Sequence, residues 1–156
     1  AGESAGGNLV LSTALAIRDS GRPLPAGLAC LSAWADLAGG STYRSLADVD
    51  PSLDPDSLLL AARHFAGDIP LDDPRISPVH ADLTGLPPTL IHAGSREIVL
   101  GDSLLLAERM QEAGVDATLE IYEGMWHVFQ LFPVPEARKA LQRIGRFIRD
   151  RLEIGP

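Results

Sequence analysis

The chain is poor in cysteine, in basic side chains and in long apolar runs. Its single cysteine, Cys30, permits no internal disulfide, which fits a reducing cytoplasm and makes that compartment the expectation. The chain has no Cys/His cluster that could bind zinc. Lys and Arg number 13 against 21 Asp and Glu, a formal charge of -8, so no basic patch neutralises phosphates. Nucleic acid is therefore not an expected partner, and anionic membrane surfaces are disfavoured on the same ground. The longest apolar stretch, Leu9 to Ile17, is broken by Ser12 and Thr13 and is far too short to span a bilayer. No basic n-region opens the chain, so no signal peptide is expected. No internal repeat or low-complexity tract is visible. What remains, 156 residues with 46% apolar content, is enough for one globular core.

Along the chain, Gly6 to Arg18 is rich in Ala and Leu and stops at Gly21 with Pro23 and Pro25 beyond, which predicts a buried helix. Leu28 to Trp34 is a short apolar run of strand length, and within it Cys30 reads as a small buried hydrophobe. From Gly39 to about Pro88 the prolines at 51, 55, 70, 74, 78, 87 and 88 break the chain into short pieces with one helix, Asp56 to Phe65. That stretch is expected to leave the sheet as an insertion or lid. Thr89 to Gly94 resumes as a strand, Asp102 to Ala113 as a helix, Ala117 to Tyr122 as a strand and Pro135 to Leu152 as an amphipathic helix. Strands alternating with helices predict an α/β fold whose parallel sheet of three strands is flanked by helices, with catalytic loops at the carboxyl ends of the strands.

Gly2-Glu3-Ser4-Ala5-Gly6 has the Gly-x-Ser-x-Gly form of a nucleophile elbow, and a helical run follows at once. Both flanking glycines are expected to be needed, because a side chain at either would strike the neighbouring strand or helix. Only Ala1 precedes the motif, so the strand that should feed the elbow is expected to be missing. A serine hydroxyl needs a general base, usually a histidine held by a carboxylate. Of the four histidines, His64 falls in a helix, His80 in a proline-rich stretch and His92 within a strand, all better explained as structural. His127 follows a strand by a few residues and so sits where the base must be. The orienting acid should follow the strand ending at Gly94, which offers Glu97 on the loop and Asp102, the latter explained equally by capping of the next helix. Trp126 and Phe129 flank His127 and are expected to line the site, whereas Trp34 is as readily a core residue.

These motifs together resemble the hormone-sensitive-lipase-like branch of the α/β-hydrolase carboxylesterases. Gly2 to Leu9 resembles that family's elbow, Asp73-Pro74-Arg75-Ile76-Ser77-Pro78 and Leu86-Pro87-Pro88-Thr89-Leu90 its approach to the next strand, Gly94-Ser95-Arg96-Glu97 with Asp102-Ser103 its acid loop, and Gly124-Met125-Trp126-His127-Val128-Phe129 its histidine loop. The family more often has Asp-Pro-Leu where Glu97-Ile98-Val99 stands, which leaves Glu97 as a substitute acid.

The resemblance implies a carboxyl-terminal part of an α/β-hydrolase domain spanning residues 1–156, lacking the amino-terminal strands and the oxyanion loop. It implies a serine ester hydrolase with Ser4 as nucleophile, His127 as base, Glu97 as acid and the Ala5 amide in the oxyanion hole, needing no metal or organic cofactor; the Leu- and Ala-rich excursion from Gly39 to Pro88 points to uncharged short- to medium-chain acyl esters as substrates. The segment alone is expected to be weakly active or inactive, and either a second copy or the amino-terminal half is expected to cover its open sheet edge. Two other readings stand beside this one: a non-catalytic small-molecule receptor on the same fold, and an inert structural fragment.

Overall fold

The computed structural model describes residues 1–153, so the last three residues of the expected 1–156 unit lie outside the described residues. Strand β1 (Gly2–Glu3) leads into helix α1 (Ala5–Asp19), then β2 (Leu28–Leu31), α2 (Pro55–Ala66), β3 (Thr89–Gly94), α3 (Leu100–Glu112), β4 (Ala117–Tyr122) and α4 (Pro135–Leu152). Short 3₁₀ turns occupy Pro78–His80 and Phe129–Leu131.

The sheet is wholly parallel in the order β1-β2-β3-β4. It has one strand more than the sequence suggests. Gly2 and Glu3 pair with Cys30 and Leu31, so a two-residue strand does feed the elbow. Two residues carry no periodicity, which is why the pattern missed it. β2 also stops three residues short of Trp34. Ser32 turns the chain out of the extended region with a φ of 47°, and Trp34 N–H bonds back to Ser4 O instead of extending a ladder.

A parallel sheet must be covered on both faces. On one face Leu11, Ala14 and Leu15 of α1 and Leu106 and Met110 of α3 pack on Leu28, Cys30 and Ile91. On the other, Ile144 and Phe147 of α4 pack on Ala29 and Leu90. The alternation 28, 30 against 29 along β2 sends successive side chains to opposite layers. β3, with every residue buried, is the central strand of this core. No described helix is long and apolar enough to cross a membrane.

Residues 39–88 leave the sheet between β2 and β3 and build a second small core. Leu37, Tyr43, Ala62, Ala66 and Ile76 close around Trp34, Ile98 and Val99. α2 opens on Asp54, whose carboxylate accepts Ser57 N–H at 2.7 Å, with Pro55 at its first position and Gly67 at its end. Polar bonds fasten this layer to α1 and to the start of α3 with the loop before it. Asn8 Nδ2 donates to Trp34 O and Ile76 O, Asp50 Oδ2 accepts Ile98 N–H at 2.8 Å, and Thr42 Oγ1 donates to Ile98 O while accepting Gly101 N–H.

Candidate active site

The elbow brings Ser4 to the end of β1 with φ 52° and ψ -123°, a conformation non-glycine residues rarely adopt. It is held there from both sides: Ser4 N–H donates to Leu31 O at 2.9 Å, and Ser4 O accepts Trp34 N–H at 3.0 Å. Close approach demands glycine at 2 and 7, not at 2 and 6. A Cβ on Gly2 would come within 2.9 Å of Val10 Cγ2 and one on Gly7 within 2.6 Å of Ala33 Cβ, whereas at Gly6 the space is open. The expectation for Gly6 is thus corrected. Ala5 opens α1, so its backbone N–H has no intrahelical acceptor and points out of the helix start beside Ser4.

Beyond β4 the chain turns at Gly124, with φ 75°, whose N–H donates to Ser95 Oγ. Arg96 N–H donates to Met125 O at 2.9 Å, binding the histidine loop to the acid loop. A Cβ on Gly94 would lie 2.9 Å from Trp126 O, so glycine at that position lets the two loops meet. Their meeting places His127 between Ser4 and Glu97. His127 Nε2 stands 2.9 Å from Ser4 Oγ and Nδ1 stands 2.9 Å from Glu97 Oε2. Glu97 is fully buried and its other oxygen accepts Gly94 N–H at 2.9 Å. A carboxylate accepting Nδ1–H leaves the Nε2 lone pair to accept the Ser4 hydroxyl proton, the tautomer a general base needs.

Asp102 is not at this centre, nor does it cap α3. The helix begins at Leu100, after Val99, and Asp102 lies inside its first turn, fully buried. Its Oδ2 accepts Ala35 N–H at 3.1 Å and Asp36 N–H at 2.9 Å, pinning the segment after β2, while Oδ1 has no partner among the described residues. Burial pushes its carboxyl well above the ordinary value, and the nearby Asp36 and Glu97 charges add to the rise.

The remaining histidines are separate from Ser4. His64 is exposed on α2, and His80 Nε2 lies 3.3 Å from Asp36 Oδ1. His92 is fully buried in β3, its ring 5.1 Å from that of Tyr122 and 3.4 Å from Glu120 Oε2. Burial holds its imidazole down at about 4. Phe129 does not line the site: it is fully buried against Tyr122, Ala137 and Ala140. Trp126 stands edge-on to Phe132, and Trp34 belongs to the second core. Burial raises the Cys30 thiol to about 12. Among the described residues no group of three or more His, Cys, Asp or Glu converges to hold a metal ion.

Residues 1–131 match the profile of the family described as alpha/beta hydrolase fold. The chain is 42% identical over 153 residues to an acetyl-hydrolase of Streptomyces hygroscopicus, covering 96% of this chain and 51% of that protein. It is 39% identical over 150 residues to an esterase of Acinetobacter venetianus, covering 94% of this chain and 50% of that one. A hormone-sensitive lipase from a metagenome library superposes with a TM-score of 0.93 at 42% identity, over 96% of this chain and 53% of that structure. The chain thus spans about half the length of the curated relatives it matches.

Proposed function

Because this chain belongs to the α/β-hydrolase family, in its hormone-sensitive-lipase-like esterase branch, we propose that Ser4, His127 and Glu97 cleave carboxylic esters through an acyl-enzyme. The observation that carries this reading is the unbroken chain from Ser4 Oγ through both imidazole nitrogens to Glu97 Oε2, each link 2.9 Å.

In that mechanism His127 Nε2 takes the hydroxyl proton as Ser4 Oγ attacks the acyl carbon, and the imidazolium is held by Glu97. The same proton passes to the departing alkoxide. Water then enters, gives its proton to Nε2 and attacks the acyl-serine, and Ser4 recovers its hydrogen as the carboxylic acid leaves. The Ala5 N–H, at the positive end of α1, stabilises the oxyanion of both tetrahedral intermediates. A binding protein has no need of a serine hydroxyl aligned on an imidazole, and that alignment favours the enzyme over the receptor.

The substrate class we assign is short- to medium-chain acyl esters. Residues 39–88 act as an insertion over the acyl side, supported by their position between β2 and β3 and by their apolar core. The chain is the carboxyl-terminal portion of an α/β-hydrolase domain. Further protein, from the rest of that domain or from a second copy, covers the groove of about 400 Å³ lined by Leu9, Val10, Ile17 and Leu28. The half-length match and that open groove support this. One missing oxyanion donor costs about 10²–10³ in rate, so this segment alone should turn over far more slowly than a full-length form.

The test is hydrolysis of acetyl, butyryl and octanoyl esters by the full-length protein and its Ser4→Ala variant, with mass-spectrometric mapping of an organophosphate label. Labelling at Ser4 and loss of turnover in Ser4→Ala are expected. Unchanged turnover in the variant would sink the proposal.

A further inference from the structure

Residues 31–34, at the end of β2 and just beyond it, bond to Ser4 and to the neighbour of His127. Leu31 O and Trp34 N–H hold the Ser4 peptide from either side, at 2.9 and 3.0 Å. Between them, Ser32 Oγ accepts Val128 N–H at 3.1 Å, and Val128 is the residue after His127. Ser32 N–H in turn donates to His92 O at 2.7 Å, anchoring the segment on the central strand.

Two further observations set Ser32 apart. It is fully buried, and it holds a φ of 47° that glycine would adopt without strain. Glycine has no acceptor to offer Val128. Val128 itself stands at a φ of 52°, a conformation a β-branched residue avoids unless its neighbours fix it. The bond therefore joins two unfavourable backbone positions, one beside the nucleophile's support and one beside the base.

We propose that Ser32 is a positioning residue that sets the spacing between Ser4 and His127, its hydroxyl holding the histidine loop at a fixed height over the elbow. The inference rests on the reading of Ser4 and His127 as nucleophile and base. Without the bond Val128 N–H is left buried and unpaired, the turn relaxes, and the imidazole moves off the hydroxyl. A displacement of that kind costs about 10–100-fold in rate.

The experiment uses the full-length protein and reads two signals: the rate of covalent labelling at Ser4 by a fluorophosphonate, and the low-field proton resonance of His127 Nδ1–H. Ser32→Gly accommodates the backbone but deletes the acceptor, and Ser32→Thr keeps the acceptor at a cost in backbone strain. Ser32→Gly is expected to label about 10–100-fold more slowly with a displaced or broadened resonance. Ser32→Thr is expected to label faster than Ser32→Gly although it melts at a lower temperature. Should Ser32→Gly not fold, Ser32→Ala takes its place. Wild-type labelling with an unmoved resonance in Ser32→Gly overturns the inference, as does a labelling rate that simply follows melting temperature across the variants. A Ser4→Ala protein that labels as fast as wild type would instead remove the functional reading beneath it.

Discussion

Glu97, on the loop between β3 and α3, and Asp102, in the first turn of α3, stand five residues apart and are both fully buried, yet their surroundings differ. Glu97 faces an imidazole and one backbone amide. Asp102 faces two backbone amides and keeps one oxygen without a partner among the described residues. The first arrangement can orient a base and take up its charge; the second can only tie one piece of chain to another. Burial and the carboxyl group are shared, so the groups across from each side chain separate them.

The sharpest way to break this contrast is to neutralise Glu97. Glu97→Gln should lower kcat by about 10³–10⁴ with KM little changed, since the carboxylate orients the base and does not touch substrate. Steady-state kinetics on the full-length protein decides it, and a loss confined to KM would place Glu97 elsewhere. Asp102→Ala should act on stability instead. Orphaning the buried amides of Ala35 and Asp36 costs about 2–4 kcal/mol in denaturant unfolding, while Ser4 in the folded fraction labels at the wild-type rate. If labelling collapses with Asp102, the division of labour is wrong. Glu97→Asp withdraws the carboxylate by one methylene from His127, and about a tenfold loss in kcat is expected.

The smallest effects lie in the pH dependence. The folded state keeps a proton on Asp102 that the unfolded chain releases, so this contribution is whole below about pH 3.8 and fades as pH rises through the raised folded value. Asp102→Asn should flatten that decline in the unfolding free energy. His92 has the opposite sign. Its folded value near 4 lies below 6.5, so its contribution is whole above 6.5 and is lost as pH falls toward 4. His92→Leu should soften the acid-side loss, and an unchanged pH profile would remove His92 from the account.

Much of the layered architecture is legible because α1 and α4 bury residues at clean helical periods and β3 is a short, wholly buried apolar run. β1 is not, since it is too short to have a period. The elbow, the histidine loop and the acid loop are legible from local spacing and order along the chain, which leave Glu97 and Asp102 both open as the acid. Asp102 was misread because Asp at a helix start is usually a cap, and nothing local reveals that Ala35 and Asp36 arrive across the fold to meet it. Phe129 was misplaced for a related reason: adjacency to His127 says nothing of which way a ring turns. Ser32, Thr42 and Asp50 went unread altogether. Each acts by a bond to a distant backbone, and a serine at φ 47° looks like any serine in a sequence.

The hydroxyl of Ser4 and the ring of His127 are joined across 123 positions of chain. In synthesis from the amino terminus, the elbow therefore leaves the ribosome well ahead of the histidine proposed to activate its serine. On the proposed mechanism, a nascent chain that has formed α1 and β2 carries an inert alcohol. Reactivity arrives only when β4 has docked and the loop after it has closed, among the slow long-range events of parallel-sheet folding. Acquisition of the label at Ser4 during refolding should accordingly lag behind the recovery of helical signal.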